Sequence, residues 1–535
     1  MKLSIEGIRD TASYEAAGVA LPTFDVAQMQ EAGKANPRWV HIGPGNIFRI
    51  FTARVAHDLL AAGHHWPIAG VIPLDPAELD TQLAPFDLMT LGVTLNPDGK
   101  REMKVIAGMS EVVATRREAD YARYLELMRA QSVTLLSFTI TEKGYVIEDS
   151  SGALQESVVA AFTKDPLTYH PNTMVLVAAG LYARFTAGAA PITLLSTDNF
   201  SHNGDKLRKS VLTIVDGWVA SGMASAEFRE YVADESRVAF PISVIDKITP
   251  RPNPSIAAEL AELGFTDLEV QTVGRAAFAG FVNAEPTEYL IIEDKFAAER
   301  PPFEEFGVHI VERQVCDDFE NMKVTTCLNP LHTALAISGM LLGFPTIDAE
   351  MRDAALAKMV NRLGSEEGLP VVVDPKIVTP QDFLREVLEV RFPNEYLPDS
   401  PARIAMDTSQ KLPIRFGETI KKYQSRGMDL AQLQVIPLVY ALWARYLLGV
   451  DDQGATLELA SDPLLDELTA QMSAIKLGES DQQLIHTTLA PIFSNPQIFG
   501  VNLYDTPLAA KAEALFTEMI TGAGAVRSTI DKEMN

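Results

Sequence analysis

Cysteine is nearly absent: Cys316 and Cys327 are the only two in 535 residues. So few thiols in so long a chain exclude a disulfide-stapled secreted framework and are expected of a cytoplasmic protein, and their spacing is no metal motif. Long apolar runs are lacking as well. The greasiest segment, 435–450, spans sixteen residues and contains both Pro437 and Arg445, which makes it too short and too polar to cross a bilayer; it is expected to form a buried helix. The first ten residues mix Lys2 and Arg9 with Glu6 and Asp10 and hold no apolar core, so no secretory signal is expected there. Positive charge is scarce. Lys and Arg total 45 against 71 Asp and Glu, a formal net charge of −26, which would repel a phosphate backbone or an anionic membrane and argues against either partner. None of the nine histidines forms a His-x-x-x-His pair, so no metal site is expected. Internal repeats and low-complexity tracts are missing too.

What is present is ordinary globular composition, 47% apolar and 22% charged, with length for two or three domains at roughly 100–200 residues each. In the first part, compact apolar runs at 39–42, 68–72, 133–138 and 192–195 alternate with helical patterns, the signature of a parallel, doubly wound sheet. Leu207, Val211, Ile214 and Trp218 share one helix face, and that helix is expected to open near Asn203 as its N-cap. The Pro-rich stretch 249–254 reads as a loop. Beyond about residue 312 long helical patterns follow one another, at 351–363, 380–390, 429–448, 463–475 and 507–520, three of them with Pro at or near the first turn. The expected architecture is α/β: a Rossmann-like, doubly wound dinucleotide-binding domain over 1–312, then a mainly α-helical substrate and catalytic domain over 313–535.

Four clusters carry candidate chemistry. Gly43-Pro44-Gly45-Asn46-Ile47-Phe48-Arg49 directly follows the run 39–42 and leads into an apolar stripe, so free amides at a helix start would face a pyrophosphate, although Phe48 stands where a third glycine is usual. Asp75 follows the second run and could accept hydrogen bonds from an adenosine ribose or merely cap the turn before Pro76. No Lys or Arg occurs between Arg54 and Lys100, which favours NAD over NADP. Thr197-Asp198-Asn199-Phe200-Ser201-His202-Asn203 closes the fourth run, where open α/β sheets bind ligands. Farther on, Asn329-Pro330 reads as N-cap and first helical residue, with His332 in the first turn and Lys323 one segment earlier as a possible acid/base.

In their order these motifs, with Thr141-Glu142-Lys143-Gly144-Tyr145, Phe240 through Asp246, Ile292-Glu293-Asp294, and Arg403 with Lys411, resemble the mannitol dehydrogenase family of long-chain, metal-independent polyol and uronate dehydrogenases. The resemblance covers most of residues 35–416. It implies an NAD-dependent oxidoreductase acting on a CH–OH group of a small sugar acid or polyol. The expected reaction interconverts a keto uronate and its hydroxy acid, fructuronate and mannonate; a mannitol-type polyol dehydrogenase and an inactive nucleotide-sensing relative are the alternatives. It further implies Lys323 as acid/base, Asn199 and Asn329 as donors to a developing alkoxide, and His332, Asp246, Arg403 and Lys411 as substrate contacts. Five residues separate Lys323 from Asn329, one more than the family's usual spacing. On a regular helix the extra residue would swing the pair by about 100°, so a bulge or a break before Pro330 is expected.

Overall fold

The structure is a computed structural model describing residues 1–273 and 276–535. The chain divides into two compact units, Met1–Cys316 and Asp317–Asn535. Six parallel strands form the main sheet of the first: β1 (Trp39–Ile42), β2 (Ile68–Ile72), β3 (Met109–Ala114), β4 (Leu135–Phe138), β5 (Ile192–Ser196) and β6 (Val238–Ala239). Their order is β3-β2-β1-β4-β5-β6. This is the doubly wound order of dinucleotide-binding sheets, and it reverses between β1 and β4, where such sheets open a ligand crevice.

Both faces of the sheet are covered, so its strands are apolar at nearly every position. Val40, Ile42, Leu136 and Phe138 pack with the helices Glu118–Arg129, Thr173–Thr186 and Asn203–Ala220. Trp39, Ile68 and Leu135 turn the other way, toward the helix Ala53–Ala61 and toward Val282, Leu290 and Ile292 of two smaller sheets. One of these runs Val19–Ala20, Arg101–Ile106, Thr90–Leu95, Phe281–Ala284, and the other Ser243–Asp246, Tyr289–Glu293, His309–Val311. The periodic pattern of the sequence did not disclose either sheet.

The second unit is helical. Val435–Tyr446 is buried at every position, and the Glu367 carboxylate accepts the amides of Gln434, Val435 and Ile436 at 2.6, 2.6 and 3.0 Å, an anion set on a helix N-terminus. Pro380 is the first helical residue, with Thr379 Oγ1 accepting from the Asp382 amide at 3.1 Å. The expected start at Pro463 moves to Leu465, because Asp462 first caps a turn through the Leu464 amide. Among the described residues no helix is long and apolar enough to cross a membrane.

Candidate active site

In the first unit, the chain leaves β1 through Gly43, whose φ of +88° favours glycine. A Cβ there would lie 2.3 Å from the Thr139 carbonyl oxygen at the end of β4, so glycine is required twice over. Gly45 differs. A Cβ on it would meet only the Gly43 carbonyl oxygen, at 4.0 Å, so protein packing leaves the space above it open. The Arg49 amide is the first to find a helical carbonyl, that of Gly45 at 2.9 Å, and among the described residues the amides of Asn46, Ile47 and Phe48 have no backbone partner. Open space over a glycine and three outward amides at a helix start fit the pyrophosphate of a dinucleotide.

Phe48 itself faces the other way. Its ring is fully buried and stacked on His41, with centroids 3.9 Å apart, so packing explains why an aromatic replaces the third glycine. His41 Nδ1 lies 2.7 Å from Ser137 Oγ, and burial holds its imidazole down at about 3, neutral at any working pH. Arg49, also fully buried, donates to Thr90 Oγ1 at 2.9 Å and to the Ala279 carbonyl at 2.9 Å, tying the turn to the smaller sheet. Asp75 is exposed, and its Oδ1 accepts the Ala77 amide at 3.0 Å; it does cap the Pro76 turn, and Oδ2 is left over.

At the ends of β4 and β5, Asp198 accepts the amides of Ile140 and Thr141 at 2.9 and 2.8 Å and the Tyr145 hydroxyl at 2.6 Å. Thr141 is thereby held at a φ of +63°, and burial raises the Asp198 carboxyl despite these three donors. Asn199, the next residue, is exposed. Asn203 does not cap its helix. It is the first helical residue, behind a left-handed His202, and its fully buried carboxamide bridges the Asp198 carbonyl at 2.9 Å and Ser243 on the strand ending at Asp246. A buried amide with two peptide groups in reach gains more from them than from the helix start. Asp246 is buried at that strand's end.

In the second unit, the extra residue between Lys323 and Asn329 lies in a π turn, Lys323–Cys327, followed by Leu328 at φ −130°. Bulge and break both occur. The helix then starts at Asn329, one residue earlier than expected, with Leu328 at the cap position, so the Asn329 side chain is no N-cap. Among the described residues its carboxamide makes no hydrogen bond, while its carbonyl accepts from Thr333 Oγ1 and from Arg415. Lys323 is buried.

His332 Nε2 lies 3.5 Å from Asp399 Oδ2 and, among the described residues, lacks a hydrogen-bond partner. Burial, reinforced by Arg415, Arg403 and Arg391 and opposed by Asp399, holds this imidazole down at about 3, so it is neutral. Arg403 grips Asp399 with Nε at 2.8 Å and with Nη2, its side chain 64% exposed. Lys411 Nζ donates to the carbonyls of Ile404, at 3.0 Å, and Met406; burial, then Arg415, brings its ammonium down to about 8. The structure thus groups Asn329, His332, Arg403 and Lys411, and adds Asp399 and Arg415, which sequence reasoning missed. Only the spacing of Arg415, one helical turn past Lys411, could have pointed to it. Among the described residues no group of three His, Cys, Asp or Glu could hold a metal ion.

Comparison with known proteins bears on the fold of both units. The profile of the mannitol dehydrogenase Rossmann domain matches residues 37–305, and that of the mannitol dehydrogenase C-terminal domain matches residues 316–508. The D-mannonate oxidoreductase of Thermotoga maritima is 47% identical, with 99% of each chain covered. Among solved structures, Pseudomonas fluorescens mannitol 2-dehydrogenase in ternary complex with NAD and D-mannitol superposes with a TM-score of 0.69 at 25% identity, over 99% of both chains. A substrate-free D-sorbitol dehydrogenase reaches a TM-score of 0.77 at 24% identity over 96% of this chain and 97% of its own.

Proposed function

The chain belongs to the mannitol dehydrogenase family, and from that premise we propose that it is an NAD-dependent oxidoreductase interconverting a keto uronate and a hydroxy sugar acid, with fructuronate and mannonate as the pair. Supporting the acid substrate is one observation above the others: Arg391, Arg403 and Arg415 act on His332 against Asp399, and Lys411 stands by Arg403 and Arg415 with Asp407 and Asp462 also in reach. That field suits an anion. The full-length likeness to a D-mannonate oxidoreductase points the same way.

In this reading Gly43, Gly45 and the amides of Asn46, Ile47 and Phe48 hold the pyrophosphate, and Asp75 Oδ2 accepts from the ribose. When bound, NAD(H) supplies or takes up the hydride. Lys323 gives a proton to the carbonyl oxygen in reduction and removes it in oxidation, while the amides of Asn199 and Asn329 donate to that oxygen as charge develops. Neutral His332 can donate to or accept from a substrate hydroxyl, and Asp246, Arg403 and Lys411 complete the substrate contacts. The domain roles follow, with dinucleotide bound by residues 1–312 and substrate chemistry carried by 313–535.

A mannitol-type polyol dehydrogenase is the second reading, favoured by the solved relative with D-mannitol bound. Initial rates with fructuronate, tagaturonate and fructose plus NADH, and with mannonate and mannitol plus NAD, decide between them. Turnover of uronate and mannonate is expected. Activity confined to fructose and mannitol would replace the first reading by the second.

A further inference from the structure

Arg415 lies on the π turn Pro413–Gly417 and is only partly open to solvent. Its Nη1 donates to the Asn329 carbonyl at 3.3 Å and to Thr333 Oγ1, so the guanidinium is held against the first turn of the helix that carries Asn329 and His332. Its Nε and Nη2 make no hydrogen bond among the described residues, and no carboxylate among them pairs with it. Burial lowers its pKa to about 10, with no acid opposing that shift, so it stays charged at neutral pH. A largely buried cation is costly when its donors are unmet; Arg49 meets all three of its nitrogens with neutral oxygens, whereas Arg415 meets only one.

Its neighbours are already engaged. Arg403 spends its own Nε and Nη2 edge on Asp399, and Lys411 spends two donors on the carbonyls of Ile404 and Met406. The planar Nε and Nη2 pair of Arg415 is the same fork, empty and aimed by its Nη1 contacts. A fork of this kind matches two carboxylate oxygens. Resting on the sugar-acid reading above, we propose that Arg415, rather than Arg403, is the receptor for the substrate carboxylate and sets the preference for sugar acids over neutral sugars.

The test compares Arg415→Gln, Arg415→Lys and Arg403→Gln with the wild-type enzyme on fructuronate and fructose, with melting followed by circular dichroism. In both Arg415 variants kcat/KM for fructuronate is expected to fall about 100-fold more than that for fructose, mainly through KM. The KM for NADH should not move. In Arg403→Gln that ratio shifts less than about tenfold. Should Arg415→Gln not fold, Arg415→Lys, which keeps the charge and a donor for the Asn329 carbonyl, carries the comparison. Equal losses on both substrates through kcat would overturn the proposal, since a clamp on Asn329 alone does that.

Calorimetric binding of D-mannonate and D-mannitol separates this inference from the reaction on which it rests. If the wild-type protein reduces no uronate but its D-mannonate affinity drops about 100-fold in Arg415→Lys against little change for D-mannitol, the receptor stands and only the reaction fails. If fructuronate is reduced and Arg415→Lys is unimpaired, the reaction stands and the receptor fails.

Discussion

Lys323 is buried on its π turn in the second unit, whereas the glycine turn belongs to the first. Replacing it by Ala removes the proposed proton donor without touching the dinucleotide turn. Lys323→Ala is expected to lose about 10²- to 10⁴-fold in kcat, with NADH affinity by fluorescence titration unchanged. Near-normal turnover at neutral pH would remove the lysine from the mechanism. A second residue matters for stability rather than turnover. Glu350 is fully buried, neither carboxyl oxygen has a partner among the described residues, and a Cβ on Gly339 would lie 2.1 Å from its Oε1. Burial, then Asp353, pushes this carboxyl up to about 9, so the folded chain holds a proton that the unfolded chain releases from about pH 4.5 upward. Stability is therefore greatest below the ordinary carboxylate range and erodes as pH climbs toward 9. Glu350→Met should raise the melting temperature by a few degrees at pH 8 and change it little at pH 4.5. An equal gain at both pH values would show that Glu350 is not protonated in the fold.

At the scale of elements, the π turn is the local device that bears on the site most. Lys323 and Arg415 both sit on one, at Lys323–Cys327 and Pro413–Gly417. A π turn holds one residue more than an α turn and commonly marks a single insertion near a functional site. Deleting Val324, the least buried residue of the first turn, would restore the usual spacing of the family and convert the turn to α. The deletion is expected to fold, melt within a few degrees of the wild type and keep kcat within about tenfold. A collapse of turnover with intact melting would mean that the wider turn itself aims Lys323.

Over the whole molecule, a net charge of −26 disfavours any ligand group that adds negative charge without a local cation. The stretch between Arg54 and Lys100 supplies none, but folding brings another segment to the edge that holds Asp75. Ala114 pairs with Ile72, so Arg116 and Arg117 emerge beside the end of β2, where Arg117 is neutralised by Asp80 at 2.6 Å. With Arg117 already paired and Asp75 exposed, NADH is expected to be preferred over NADPH by about tenfold or more in kcat/KM, and Asp75→Ala to narrow that margin. Initial rates at equal cofactor concentrations measure it. A preference for NADPH would identify Arg116 as a phosphate contact.

By itself the sequence determined what depends on local pattern. Four of the six sheet strands, the glycine turn, the helix opening at Asn203 and the helical character of the second half are short-range consequences of apolar period, of glycine and of proline. The helix Thr173–Thr186 left no such trace because it is buried nearly all round, which erases the periodic signal. The smaller sheets were illegible because their pairings join strands as far apart as Thr90–Leu95 and Phe281–Ala284. Tertiary structure alone decided which polar groups are satisfied. It gave Asn203 to Ser243 and Arg403 to Asp399, and among the described residues left the Asn329 carboxamide and the Arg415 fork without a partner. Residue type shows which groups can donate a hydrogen bond; which of them is still free to meet a substrate depends on what the fold has placed beside each one.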